Sequence, residues 1–335
     1  MVNPLSLTPV PLPKVEAPSI DGLILKVPAA KVPTPDDVMA RLEEHRRAHA
    51  VATQKKTGDA IGPFDEVCVD LIGYANGKLV PGSAQFGLWV RIDRPLSFPE
   101  LAAALKLATV GDGLKVNLTL PESFFIPALR NTPAVYLMDV KEAQHLKLPK
   151  LDDPGFLAKI GGAKTLPEAL NKIAEELGAQ FAVAATFRAL HVAIESVAAR
   201  AEVQLSPKLL QQELWNVWRE VEGKALSEHG LLGQEQVDSF ENWKDDPKAV
   251  ADVERRLRNT IVMMAVAKAH EAELTHERLV ETAVRWVSVL GISEEKLAEF
   301  KHQDDATKSQ TGALLMEIAA AELVLERSTL SWVTA

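Results

Sequence analysis

The chain reads as an α+β protein: a small antiparallel sheet domain with one short helix, followed by a mostly helical region. Three observations carry this. A Pro-dense stretch leads the chain, with prolines at 4, 9, 11, 13, 18, 28, 33 and 35, and that density excludes helix. Residues 56 to about 145 alternate short β-rich runs with Gly and Pro, the pattern of a compact sheet. From about residue 150 the chain is rich in Ala and Leu, both strong helix formers. At roughly 150 residues per domain, 335 residues amount to about two domains. The reading divides the chain into 1–55, a Pro-rich tail and linker arm of strand plus helix; 56–145, the sheet domain; and 146–335, the helical domain.

The elements follow in order. Leu23-Ile24-Leu25 with Val27 is a short apolar strand. Thr34-Pro35-Asp36-Asp37 opens a helix from about Asp36 to Gln54, with a capping threonine, proline at the first position and acid in the first turn. Strands are expected at Glu66–Ile72, Gln85–Ile92, Leu114–Leu120 and Ala134–Val140. Lys115 to Leu120 alternates polar and apolar, as a strand with one buried face does. Asn76-Gly77 is a hairpin signal, and Pro99–Leu107 is the one short helical pattern in this region. The helical part comprises Leu166–Arg200, a helix opened by Ser206-Pro207 and running to about Ser227, another from Asp245-Asp246-Pro247 to about Glu273, then Thr275–Leu290, Ser293–Phe300 and Ala306–Ser328. No segment repeats another at a fixed period, which excludes a solenoid.

Composition narrows the function classes. Hydrophobic residues make up 47% and charged residues 25%, ordinary for a globular chain. The net charge of −9 lacks the basic excess that nucleic-acid binding uses, so no nucleic acid is expected as a partner. One cysteine, Cys68, excludes internal disulfides and cysteine-cluster metal sites. No apolar run approaches the roughly 18 residues of a membrane span, which rules out a membrane-spanning helix, and the Pro-rich start is no signal peptide. A cytoplasmic protein without a membrane partner is expected.

His45 and His49 stand at i and i+4 on one helix face, a spacing that can bind zinc, but no third ligand follows and a solvated charged face is the better reading. Gly111-Asp112-Gly113 precedes a strand rather than a helix and reads as a turn, not a dinucleotide fingerprint. Cys68, inside Val67-Cys68-Val69, reads as a small buried hydrophobe. Neither cofactor nor metal is expected, and the motifs alone specify no enzyme.

The helical region carries unusual apolar content. Trp215 and Trp218 share one side of a helix; Ile261 to Ala267, including Met263 and Met264, is apolar nearly all round; Trp286 adds a third cluster with Val287, Val289 and Leu290. Such segments are either a large core or a concave apolar surface for a partner. Met and Trp suit adaptable apolar recognition.

The order of elements resembles trigger factor, a family with a ribosome-binding domain, an FKBP-like prolyl isomerase domain and a helical chaperone domain. Asp65-Glu66-Val67-Cys68-Val69-Asp70-Leu71-Ile72-Gly73-Tyr74-Ala75-Asn76-Gly77 is similar to that family's first isomerase strand and hairpin. Leu205-Ser206-Pro207, Asp252–Ala267 with its Arg-Arg-Leu-Arg run, and Leu274–Val280 are similar to segments of its helical domain. Two departures stand out. The ribosome-docking signature G-F-R-x-G-K-x-P is absent, and the chain begins near where that domain would end, so ribosome docking is not expected. The isomerase pocket is altered. Phe98-Pro99-Glu100-Leu101 stands where the family has I-P-G-F/W, Leu71 replaces an aromatic, and the pocket acid falls at Gly87, while Phe124 and Tyr136 are retained. By this resemblance Leu71, Phe98, Leu101, Phe124 and Tyr136 form a vestigial isomerase pocket, and Trp215, Trp218, Met263, Met264 and Trp286 are the candidate client-binding residues. The resemblance implies an ATP-independent chaperone holding unfolded or partly folded polypeptide. A dedicated escort or inhibitor of one cognate protein and an active peptidyl-prolyl isomerase are the alternatives.

Overall fold

The computed structural model describes residues 10–94, 96–290 and 310–333, together with Ser293, Glu295 and Ala298. Its described residues fall into two units, each discontinuous in sequence: unit 1 within Met1–Pro33, Glu176–Leu210 and Glu254–Ala335, and unit 2 within Thr34–Glu175 and Gln211–Val253. Segment 56–145 lies wholly inside unit 2, whereas 1–55 and 146–335 are each shared between the units.

Unit 2 is built on two long neighbouring strands, β3 (Asp65–Ala75) and β7 (Pro133–Lys147), which pair antiparallel along their length. β3 is rich in Val and Ile, residues that fit a pleated surface. Asn76 and Gly77 have φ of 53° and 76°, the two positive values that a tight hairpin turn needs. They connect β3 to β4 (Lys78–Leu79), with Ala75 opposite Lys78. β5 (Gln85–Arg91) occupies the rest of that edge of β3, with an irregularity between Val69 and Leu71. β2 (Val51–Gln54) and β6 (Gly113–Thr119) pair with the other edge of β7. The helix α2 (Pro99–Leu105) buries Leu101 and Leu105 into one core with Val67, Val69, Tyr136 and Met138.

Asp65 anchors the start of β3. Its side chain is 1% exposed and accepts from Lys55 Nζ at 2.6 Å, Gly62 N–H at 2.6 Å and His145 Nδ1 at 3.0 Å. Burial alone would raise this carboxyl; the hydrogen bonds from Lys55, Gly62 and His145, with the Lys55 charge, outweigh it and hold it below the ordinary aspartate value.

The arm helix α1 (Pro35–Ala48) starts as expected, with a complete capping box between Thr34 and Asp37. It ends at His49, short of Gln54. Val51–Gln54 is strand β2 instead, opposite Lys147–Gln144 of β7; pairing of β-branched Val51 and Thr53 across the sheet overrides helical continuation. Unit 2 also holds the single-turn helix α3 (Pro154–Leu157), the start of α4 (Leu166–Ala198), most of α5 (Pro207–Trp218), a π-turn (Arg219–Gly223), α6 (Lys224–Glu228), α7 (Gln234–Asp245) and the start of α8 (Pro247–Ala269). The helix α7 has no counterpart in the sequence reading.

Unit 1 packs the remainder of α4 and α8 with α9 (His276–Leu290) and α10 (Gln310–Glu326). Its core brings together Ala193, Val197, Val262, Val266, Ala283 and Leu315. Against this lies a two-stranded parallel sheet of β1 (Ile24–Pro28) and β8 (Thr329–Val333), with Leu25 opposite Leu330. Leu25 and Val27 point into the core while Ile24 and Lys26 face out, the alternation of a strand buried on one face. Of the expected helix Ser293–Phe300 only Ser293, Glu295 and Ala298 are described; its other residues lie outside the described ones.

The sequence reading found no apolar run of membrane-spanning length. The 33-residue α4 corrects this: by length and composition it is long and apolar enough to cross a membrane, and only 28% of its apolar 18-residue stretch is buried. Gln180, Thr186, Arg188 and His191 interrupt the run without lowering its average enough to exclude it.

Candidate functional site

All five residues of the expected pocket line one cavity of about 380 Å³ in unit 2: Leu71, Phe98, Leu101, Phe124 and Tyr136, with Met138 of β7 also in the lining. The sheet is shaped for this. Gly73 of β3 sits opposite Tyr136 of β7, and a Cβ on Gly73 would lie 2.5 Å from the tyrosine ring. Glycine is the residue that lets this ring lie flat over the neighbouring strand. Phe98, just before α2, tilts against Tyr136 at a centroid distance of 5.3 Å, an ordinary aromatic pairing distance. Phe124 stands beside Phe125 at 4.5 Å, held on the turn after β6 by Phe124 N–H to Pro121 carbonyl at 2.9 Å.

Among the described residues, none that lines the cavity carries a charge. Burial pushes the Tyr136 hydroxyl up to about 12, so it stays neutral across the physiological range and cannot act as a base there. Glu100 and Gly87 are not part of the lining. Gly87 has a φ of 62° and donates its N–H to Asp70 Oδ1 at 2.8 Å. The chemistry available is apolar enclosure with peripheral hydroxyls from Ser83, Ser97 and Ser123. That suits an apolar or aromatic side chain and any peptide attached to it.

The five candidate client residues fare differently. Trp218, Met263 and Trp286 are buried in the core and are corrected here: they are not free surface. Trp218 packs on Phe240 at 5.6 Å and Trp215 at 4.7 Å, with its indole N–H donated to Ser239 Oγ at 2.8 Å. Trp286 packs on Phe187 at 4.5 Å and donates to Glu322 Oε1 at 3.0 Å. Met263 faces inward with Val262 and Val266. Trp215 is half-buried, and Met264 alone of the five is well exposed, at 55%. The run 261–267 looks apolar all round, but the 3.6-residue period puts Met264 on the opposite side from Val262 and Val266, both fully buried.

Unit 1 offers an open recess of about 510 Å³ whose lining includes Val183, Leu190, Trp286 and Leu325, with Arg285 and Glu322 among its polar members. Glu322 is itself buried and bound by Thr282 at 3.1 Å and Arg285 at 2.7 Å besides Trp286. The sequence reading singled out neither Val183 nor Glu322. The long apolar stretch of α4 was the signal available in sequence for the first; an isolated glutamate in a helical pattern gives none for the second. His45 and His49 lie at the end of α1, and among the described residues no group of three or more His, Cys, Asp or Glu side chains could hold a metal ion.

The fold and cavity together define an α+β protein that pairs an antiparallel sheet domain bearing an uncharged aromatic cavity with a helical unit presenting apolar surface. Residues 165–326 match the family described as bacterial trigger factor protein C-terminus. The chain is similar to trigger factors: it is 24% identical over 320 residues to trigger factor of Shouchella clausii, covering 93% of this chain and 72% of that one. With trigger factor of Sphingopyxis alaskensis it shares 23% identity over 96% of its own length and 59% of the relative's. With that of Halothermothrix orenii it shares 25%, over 80% and 62%. The chain thus spans between 59% and 72% of the length of these relatives. A solved trigger factor chaperone, described for promiscuous substrate recognition in folding and assembly, covers 94% of this chain and 73% of its own at 17% identity and a TM-score of 0.36.

Proposed function

We propose that this protein is an ATP-independent chaperone that holds unfolded or partly folded polypeptide, and that its sheet-domain cavity is a degenerate, FKBP-like prolyl isomerase pocket that retains apolar binding. In this reading it works without docking on ribosomes, and neither nucleic acid nor a membrane takes part. The relatives are trigger factors, and one solved trigger factor is described as a chaperone with promiscuous substrate recognition. The single observation that carries the reading is the incomplete burial of α4: a long apolar helix, inside the segment matching the trigger factor C-terminus, has only 28% of its apolar 18-residue stretch buried, and Val183 on it is 40% exposed. Apolar surface left open in this way compensates the ordering of a bound chain. The net charge of −9 keeps copies apart by mutual repulsion. The cavity lacks an acid, and Leu71 and Leu101 replace aromatic walls, so it favours a twisted prolyl amide over a planar one only weakly.

The test is light scattering from a chemically denatured, aggregation-prone enzyme diluted into buffer with and without the full chain, in the absence of ATP. Suppression at near-equimolar ratio supports the holding function. A capture experiment from native extract then separates a general holder, with many clients, from an escort of one cognate protein.

A further inference from the structure

One loop of the sheet domain is gripped from both sides. Residues 80–84 join β4 to β5 and supply Pro81, Gly82 and Ser83 to the cavity wall. On the inner side, Ser83 Oγ accepts from Gly73 N–H at 3.0 Å and donates to the Gly73 carbonyl at 3.1 Å. On the outer side the segment 219–245 of the same unit makes three contacts. Glu222 Oε1 accepts from Gly82 N–H at 3.1 Å. Asn242 Nδ2 donates to the Leu79 carbonyl at 2.8 Å. The His229 ring stacks on Phe86 with centroids 3.7 Å apart and planes 9° apart.

Glu222 is the centre of this grip. It is only 6% exposed; its second oxygen accepts from Trp243 Nε1 at 2.6 Å, and the Ser239 hydroxyl, itself bonded to Trp218, also reaches it. Burial pushes its carboxyl above the ordinary glutamate value against these three hydrogen bonds. A buried carboxyl group is costly unless its oxygens are satisfied, and the Gly82 N–H satisfies Oε1. Glu222 is placed by the π-turn Arg219–Gly223, a distortion concentrated at functional sites. Gly223 makes room for it, because a Cβ there would stand 2.9 Å from the Trp218 ring.

We propose that Glu222 is a positioning residue for the cavity: through Gly82 it fixes the 80–84 loop and hence the cavity's mouth, so that cavity occupancy and the conformation of the 219–245 segment depend on one another. The second half follows by linkage, since a coupling between two sites acts equally in both directions. The proposal rests on the reading of the cavity as a site for apolar peptide.

The test uses the full chain and two readouts. Amide hydrogen exchange is followed at Gly82 and Ser83, with the β6–β7 amides as internal control. Binding is followed with a blocked Ala-Phe-Pro-Phe tetrapeptide. In Glu222→Ala, exchange at Gly82 is expected to rise about tenfold, the loss of one buried hydrogen bond, with β6–β7 unchanged and tetrapeptide affinity reduced threefold or more. Glu222→Gln keeps one acceptor oxygen and is expected to restore part of both. If Glu222→Ala disturbs the β6–β7 control, Glu222→Gln decides: an intermediate rise at Gly82 supports the proposal. Unchanged exchange at Gly82, or unchanged affinity with the loop loosened, overturns it. A wild-type chain that binds no tetrapeptide instead overturns the cavity reading and removes the proposal with it.

Discussion

Replacing Gly73 by alanine probes how the cavity is built. The added Cβ would stand 2.5 to 2.9 Å from three ring carbons of Tyr136, whereas carbon atoms are at their optimum about 3.5–4.0 Å apart. The ring therefore has to move by about 1 Å. The space that receives it is the cavity itself, past Phe98, which tilts against its face; Tyr136 is otherwise enclosed, at 2% exposed. Overpacking of a dense core costs about 1–3 kcal/mol, and alanine recovers about 0.5–1 kcal/mol of it by losing less backbone entropy than glycine in a strand. A net loss of about 1 kcal/mol is expected. Amide exchange of the β3 and β7 backbone is the suitable assay, because it reads this unit locally without requiring both units to unfold together. Protection there is expected to fall about fivefold, and the displaced ring to narrow the cavity and weaken tetrapeptide binding. Equal or greater protection with unchanged binding would refute the close packing of Gly73 on Tyr136 as the basis of the cavity floor.

Other outcomes follow from the same contacts. Asp65→Asn removes the charge from a buried carboxylate facing Lys55 and His145 and is expected to cost about 3 kcal/mol, the lower range for a broken buried pair, read from sheet-domain exchange. Because the folded Asp65 carboxyl lies below the unfolded value of 3.8, its contribution is present above that pH and lost as pH falls further through the folded value; the variant should lack this acid-limb loss. Trp218→Ala should destabilise the α5–α7 segment by about 3–5 kcal/mol as a core truncation, whereas Met264→Ala, at an exposed position, should change stability by less than about 0.5 kcal/mol. A reversal of that order in thermal melts would contradict their assignment to core and surface. Uncatalysed prolyl exchange takes tens to hundreds of seconds, so weak activity is measurable; strong acceleration on a Phe-Pro peptide, abolished by Tyr136→Ala, would show an intact isomerase. Co-sedimentation with ribosomes that resists moderate salt would contradict the ribosome-free reading.

The sheet was legible because its signals are local. Asn76-Gly77 specifies its own turn, and the alternation through Lys115–Leu120 specifies a half-buried strand that the structure places at Gly113–Thr119. The pocket residues were legible only through the family's spacing, since Leu71, Phe98, Leu101, Phe124 and Tyr136 come from separate elements. What the sequence concealed depends on tertiary partners. β2 and β8 are short strands whose pairing comes from β7 and β1, distant in the chain. For Trp218, Met263 and Trp286 the sequence left core or client surface open because apolar neighbours obscured the helical period, and each is consumed by packing in the core. Glu222 is one glutamate in a charged helical run; nothing local distinguishes it from Glu220, which lies exposed beside Arg219.

The claim on which the account turns is that this chain holds non-native polypeptide on apolar surface. Light scattering from the denatured enzyme, with increasing full-length protein and no nucleotide, measures it directly. Aggregation should fall steeply as the ratio nears equimolar, and the effect should survive moderate salt because apolar contact dominates it. Unchanged aggregation at a several-fold molar excess, with the protein shown to be folded by its β3–β7 exchange protection, would contradict it.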